Sequence, residues 1–137
     1  MSRDEAPRLL GVHHVQITVP RGQEEAARRF YCEVLDMREV PKPQALAGRG
    51  GFWLSAGGDG ADPLVHLGTE EGVDRTATKA HVAYEVRDLP AWKRRLQQHG
   101  IRPVDSIPIP GFDRFEFRDP FGNRVEIIEP SPASTVL

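Results

Sequence analysis

Two short segments of the chain repeat one pattern, in which a histidine opens a strand and lies out of phase with the aliphatic residues that follow it. The segments are His14–Val19 and His81–Val86. Successive side chains of a strand point to opposite faces, so the aliphatic residues share one face and the histidine lies on the other. The aliphatic face is expected to pack against a helix. The repeat therefore predicts two related halves, each with an imidazole on the face that lines a polar cavity.

The rest of the chain divides in the same way, because a helix pattern and three strand patterns follow each segment. The first helix is predicted over Gly22–Leu35, where apolar residues recur at helical spacing. In the second half, Asp88 is a candidate N-cap and Gly100 a candidate helix end. The strands that follow are predicted at Met37–Val40, Gly51–Ser55 and Leu64–Leu67, and at Arg102–Asp105, Arg114–Arg118 and Arg124–Ile128.

Length and composition limit the class of protein. A chain of 137 residues forms one ordinary domain, predicted over 1–137, with one module at about 10–68 and the other at about 80–130. Neither half could bury a sufficient core alone, so the two are expected to share one. The net charge of −2 gives no basic surface for a nucleic acid partner. No membrane-spanning or signal-peptide pattern is found, so no membrane partner and a cytoplasmic location are expected.

The last strand of each half carries a second potential metal ligand. His66 and Glu126 each stand between two aliphatic residues, and aligning the halves pairs His14 with His81 and His66 with Glu126. A carboxylate buried without a partner among apolar residues would be costly. Imidazole and carboxylate suit Zn, Fe, Mn, Co or Ni. The pattern predicts one divalent metal ion on these four residues, whereas His13, on the aliphatic side, is expected to be structural.

The same alternation predicts candidate substrate contacts. Trp53 shares the polar face of its strand, and three charged residues share that face in the matching strand of the second half. Two loop residues are added, an arginine in a glycine-rich loop and a phenylalanine that could act as a lid. The remaining predicted contacts are therefore Arg49, Phe112, Arg114, Glu116 and Arg118. For each, the alternative is a solvated residue with no part in binding.

Three motifs together resemble the vicinal oxygen chelate superfamily, the group of glyoxalases, bleomycin-resistance proteins and extradiol dioxygenases. They are His14-Val15 at the start of a strand, Phe-Tyr-x-x-Val-Leu at 30–35, and Asp-Pro-Phe-Gly-Asn-Arg-Val-Glu at 119–126. The resemblance covers about residues 10–130. It implies an α+β fold in which two βαβββ modules form a cupped mixed sheet around one divalent metal. It places ligands at His14, His81 and Glu126, and at His66, where many members have Glu or Gln.

The resemblance also implies a range of functions. The first is a metal-dependent lyase or isomerase that chelates two vicinal oxygens of a small-molecule substrate, with Glu126 and His66 as catalytic residues and His66 either a ligand or a base. The alternatives are an Fe(II) extradiol-type dioxygenase and a metal-free drug-binding protein of the bleomycin-resistance kind. Members of this size are usually homodimers, often with each site at a subunit boundary, so a homodimer is expected.

Overall fold

The computed structural model describes residues 6–42, 44–46, 48, 50–57 and 62–132. Helix α1 (Glu24–Arg28) runs directly into wider helical turns at Arg29–Val34, and helix α2 spans Leu89–Gln98. Short 3-10 turns lie at Gln44–Leu46 and Arg75–Ala77. The strands are β1 (Val15–Val19), β2 (Arg38–Val40), β3 (Phe52–Ser55), β4 (Val65–Thr69), β5 (His81–Glu85), β6 (Val104–Asp105), β7 (Phe112–Arg118) and β8 (Arg124–Pro130). Within the described ranges, no helix has the length and apolar character needed to cross a membrane.

The strands form two four-stranded sheets with equivalent orders, β1-β4-β3-β2 and β5-β8-β7-β6. In each sheet the first strand lies parallel to the last, and the other neighbours are antiparallel. A parallel neighbour requires the chain to cross back between the two strands, and α1 and α2 lie on these connections. We call β1–β4 with α1 the first module and β5–β8 with α2 the second. The predicted α+β fold of two βαβββ modules is confirmed.

The first helix differs from its predicted extent of Gly22–Leu35. It begins at Glu24, and near its end the N–H of Leu35 donates to the carbonyl of Phe30, five residues earlier, at 3.1 Å. This hydrogen bond is typical of a π-type turn, which inserts an extra residue into the helix. Such a turn cannot be predicted from apolar residues that recur every 3.6 positions. The second helix follows its prediction more closely, because Asp88 caps it with a carboxylate oxygen.

Strand register decides which side chains share a face with the predicted ligands. In the first sheet, Gln16 lies opposite His66, and His66 lies opposite Trp53. In the second sheet, Glu126 lies opposite Glu116. Side chains directly opposite each other on neighbouring strands point to the same side of a sheet. Each sheet therefore has one face that carries its predicted ligands, which we call its polar face.

The other faces of both sheets pack into one hydrophobic core together with the helices. Its fully buried side chains come from both modules and include Val19, Tyr31, Leu54, Leu67, Leu96, Phe115 and Ile127. The rings of Phe30 and Phe117, one from each module, lie with their centroids 6.1 Å apart. The modules thus share a core, as their small size requires.

The turn between β7 and β8 ties the second module to the first. The buried carboxylate of Asp119 accepts hydrogen bonds from the hydroxyl of Tyr31 at 2.7 Å and from the backbone N–H groups of Phe121 and Asn123. The side-chain amide of Asn123 donates both to Asp119 and to the carbonyl of Thr18 in β1. The Asp-Pro-Phe-Gly-Asn motif therefore has a structural role at the junction of the modules.

Replacing Tyr31 by Phe is expected to lower the free energy of unfolding by about 1–3 kcal/mol, because the buried carboxylate of Asp119 loses a donor. Burial, and then the negative charge of Asp119, raise the pKa of Tyr31 well above its usual value, so the hydroxyl stays protonated at ordinary pH. Urea denaturation followed by circular dichroism measures the change. Tyr84→Phe is the matched control, because within the described residues the Tyr84 hydroxyl makes no hydrogen bond. Equal losses in both variants would contradict the assigned role.

Candidate metal and substrate site

Three aromatic rings lie together on the polar face of the first sheet. The indole of Trp53 stacks on the ring of His66, with centroids 4.6 Å apart and planes 1° apart. The ring of His14 lies 4.8 Å from the indole on a tilted plane. Burial, followed by electrostatic interaction with His14 and Lys42, lowers the pKa of His66. A lowered pKa favours neutral imidazole, which is the form that binds metal ions.

His13 has a closer relation to the site than the sequence suggested. Its Nδ1 lies 2.8 Å from Nδ1 of His14, a distance at which one ring donates a hydrogen bond to the other. Where His14 is the donor, its Nε2 keeps a free lone pair. Metal-binding histidines commonly use the second ring nitrogen in this way, so the contact is compatible with His14 as a ligand.

The second module brings two predicted ligands into direct contact. Nδ1 of His81 lies 2.9 Å from the backbone carbonyl of Lys79, and Nε2 of His81 lies 3.0 Å from Oε1 of Glu126. A carbonyl oxygen only accepts, so Nδ1 must carry the hydrogen. In a neutral imidazole, Nε2 then presents its lone pair to a carboxylate oxygen, which also only accepts. This arrangement requires a proton or a cation between the two atoms, and it fits a metal ion.

Arg114 contacts the same carboxylate. Its Nη1 donates to Oε1 of Glu126 at 3.0 Å, and its Nε and Nη2 donate to the carbonyl of Ile107. Glu126 is only 4 % exposed, so its charge is largely removed from water and this pairing compensates part of the cost. Arg114 was predicted as a substrate contact. In the chain alone, it orients a predicted metal ligand.

The other predicted substrate contacts differ in their hydrogen-bond partners and their exposure. Glu116 accepts from Arg124 and from the hydroxyl of Ser106. Arg118 donates to the backbone carbonyl of Arg75, in the connection between the modules, and to that of Gly122, in the turn between β7 and β8. Phe112 is the first residue of β7 and is 39 % exposed. Arg49 lies outside the described residues.

Within one chain, the four predicted ligands form two pairs, one on each module. His14 and His66 flank Trp53, and His81 contacts Glu126. Among the residues that the structure describes, no group of three His, Cys, Asp or Glu side chains is close enough to hold a metal ion. A complete site would therefore need the two pairs to be brought together.

Two grooves adjoin the pairs. One of about 300 Å³ includes His66 and Gln16, and another of about 410 Å³ between β1 and β5 includes His81 and Gln16. Gln16 lines both grooves, so they lie beside each other. A third cavity of about 250 Å³ lies at the far side of the second sheet, and its lining includes Met37 and Trp92 and none of the four ligands.

Several residues that shape the site were not singled out by sequence reasoning. The carbonyl of Lys79 orients His81, and a backbone group leaves no mark in a sequence. Gln16 shares the face of His66, which strand alternation alone could have indicated. A side chain at Gly68 would place its Cβ 2.6 Å from Nε2 of Gln16, so glycine leaves the space that Gln16 occupies. Arg124 holds Glu116 through a cross-strand pairing that depends on register.

The fold and these donor pairs define a class of small α+β proteins with two βαβββ modules and a histidine on the polar face of each. The chain matches the family model described as the glyoxalase/bleomycin resistance protein/dioxygenase superfamily over residues 11–127. Because that match covers most of the chain, the protein belongs to this superfamily, as the sequence resemblance implied.

Solved structures agree with this assignment. A protein from Bacillus anthracis described as a glyoxalase family protein is 38% identical, with a TM-score of 0.80, and the match covers 92% of this chain and 99% of that chain. The antibiotic binding protein TnmS3 from Streptomyces sp. CB03234 is 25% identical, with a TM-score of 0.59 and coverage of 90% and 100%. The fosfomycin resistance protein FosX from Listeria monocytogenes shares the fold at 12% identity, with a TM-score of 0.68 and coverage of 94% and 98%. A search of curated proteins gave no match.

Proposed function

We propose that the protein is a metal-dependent enzyme, of lyase or isomerase type, that binds a small oxygen-rich substrate by two vicinal oxygens. The observation that carries the proposal is the His81–Glu126 pair. Its nitrogen and oxygen lie 3.0 Å apart, and in the neutral imidazole the hydrogen bond from His81 to the Lys79 carbonyl leaves a lone pair on Nε2 that faces the carboxylate, where a cation would fit. Two acceptors held in contact form part of a cation site that needs no rearrangement of the imidazole.

The residues that would hold the metal are His14, His66, His81 and Glu126. Three imidazoles and one carboxylate suit Zn, Fe, Mn, Co or Ni. A bound metal supplies Lewis-acid stabilisation of negative charge on substrate oxygens. Arg114 keeps the carboxylate of Glu126 in place, and the stacked Trp53 fixes the plane of His66. If His66 leaves the metal, its neutral ring is available to accept a proton from the substrate.

We propose that the two pairs meet across a homodimer, with His14 and His66 from one copy and His81 and Glu126 from the other. The segment that leads to His14 supports this arrangement, because three of its large apolar side chains are almost free of contact. Leu9, Leu10 and Val12 are 96%, 91% and 80% exposed. Adjacent apolar residues with such exposure usually mark a protein interface. Near Arg114, Ile107 is 82% exposed and offers a matching surface.

Elemental analysis of the purified protein tests the proposal. We expect one divalent metal ion per chain in the native protein and a large loss of metal in the His81→Ala variant. Full metal content in that variant would contradict the ligand assignment. A panel of hemithioacetals, 2-oxo acids, catechols and fosfomycin then tests the reaction, and oxygen uptake with a catechol would identify a dioxygenase instead.

One observation favours a second candidate, a metal-free protein that binds a drug-like molecule. Arg114 already places a positive charge on Oε1 of Glu126 at 3.0 Å, which is the role a metal ion would otherwise have. The similarity to an antibiotic binding protein at 25% identity agrees with this reading. Purified protein without metal that also takes up none on dialysis against Zn²⁺ would favour this candidate over the enzyme.

A further inference from the structure

Among the side-chain nitrogen and oxygen atoms of the described residues, one buried atom has no hydrogen-bond partner, the indole Nε1 of Trp53. Trp53 is 8 % exposed. A buried donor without an acceptor costs about 1–3 kcal/mol, and such groups are therefore rare in folded proteins. A phenylalanine would fill most of the same space without this cost. The orphan N–H thus indicates that an acceptor reaches it in another state of the protein.

The position of this atom suggests which acceptor. Trp53 stacks on His66 and lies against His14, so two predicted metal ligands flank the indole. The groove of about 300 Å³ beside His66 also includes Lys42, whose positive charge acts on His66. Positive charge at this face favours an anionic oxygen as the acceptor.

We propose that the indole N–H of Trp53 donates a hydrogen bond to a carboxylate oxygen of the substrate and so positions it beside the metal. This inference rests on the proposed function, because it assumes a substrate chelated by two vicinal oxygens. A carboxylate with an oxygen on the adjacent carbon satisfies both conditions. The substrate class is therefore small 2-oxo or 2-hydroxy acids.

The ring of His14, which lies beside the indole, is exposed. In the chain alone, Nε1 has less than 1 Å² of exposed surface. Among the described residues, the His14 side chain has a hydrogen bond with His13 and ring contacts with His13 and Trp53. Binding of a carboxylate at Nε1 therefore requires a shift of the side chains around the indole, and a shift of His14 on metal binding would contribute to it.

Nuclear magnetic resonance of the Zn²⁺-loaded, ¹⁵N-labelled protein tests the proposal, with oxalate as the probe because it carries two vicinal carboxylate oxygens. The chain has two tryptophans, and the Trp92→Phe variant assigns their indole signals. We expect the Trp53 indole proton to move downfield on addition of oxalate. We expect Trp53→Phe, measured at saturating Zn²⁺, to weaken oxalate binding about 10-fold, the value of one lost hydrogen bond.

The outcomes separate this inference from the proposed function. Oxalate that binds the Zn²⁺ form without moving the Trp53 signal would overturn the inference and leave the metal site intact. A protein that binds no Zn²⁺ would overturn both. If Trp53→Phe fails to fold, the indole signal of the unaltered side chain still decides the question. Trp92→Phe serves as the matched control for binding, because Trp92 lies away from all four predicted ligands.

Discussion

The Glu126→Gln variant is expected to bind Zn²⁺ about 100-fold or more weakly than the unaltered protein, since a neutral amide is a poor ligand for a divalent cation. The substitution keeps the shape of the side chain and leaves an oxygen that can still accept from Arg114. It removes the charge that faces Nε2 of His81 at 3.0 Å. Competition with a chromophoric chelator measures the affinity, and circular dichroism verifies that the variant is folded.

Glu116→Gln is the matched control. Glu116 lies directly opposite Glu126 on the neighbouring strand and shares the polar face. Its carboxylate is paired with Arg124 at 2.6 Å and, among the described residues, makes no hydrogen bond or ion pair with His81 or any other predicted ligand. We expect the Zn²⁺ affinity of this variant to stay within about 3-fold of that of the unaltered protein, because the substitution changes no group that is hydrogen-bonded to a predicted ligand. Equal losses in the two variants would indicate a general charge effect, and no loss in Glu126→Gln would remove the metal site.

Strand alternation explains why the faces of the candidate site residues could be predicted from the sequence. Side chains of a strand alternate between its two faces with a period of two residues, and this alternation can be read directly from the sequence. The out-of-phase position of His66 in its strand was therefore enough to assign its face. Register then places Trp53 beside it, as the alternation also indicated. The fold could be predicted for a related reason. The sequence repeat indicates two equivalent halves, and the two sheets have equivalent strand orders.

Other features depend on interactions that cannot be predicted from a single sequence. The tautomer of His81 is fixed by the carbonyl of Lys79, a backbone group present in every residue. The pairing of Arg114 with Glu126 depends on the register of the β7–β8 hairpin, which the turn geometry sets. How the two donor pairs meet depends on contacts between modules or between copies, which side-chain patterns within one strand do not specify.

Purified heterodimers can decide whether the metal site is shared between two copies. We expect a heterodimer of one His14→Ala chain and one Glu126→Gln chain to bind about one Zn²⁺, although each variant alone binds almost none. In a shared site, the intact His14 of one chain meets the intact Glu126 of the other, and the second site carries both substitutions. Coexpression of chains with two different affinity tags isolates this heterodimer, and elemental analysis gives its metal content.

The reciprocal heterodimer gives the opposite expectation, which makes the pair of measurements decisive. It combines an unaltered chain with a chain that carries both His14→Ala and Glu126→Gln. If each site takes His14 from one copy and Glu126 from the other, every site has lost one ligand and about zero Zn²⁺ is bound. If one chain supplies all four ligands, this heterodimer keeps about one ion and the first keeps none. The shared and the single-chain arrangements therefore predict opposite Zn²⁺ contents for the two heterodimers. Poor folding of a variant would lower the Zn²⁺ content without producing the pattern expected for a shared site.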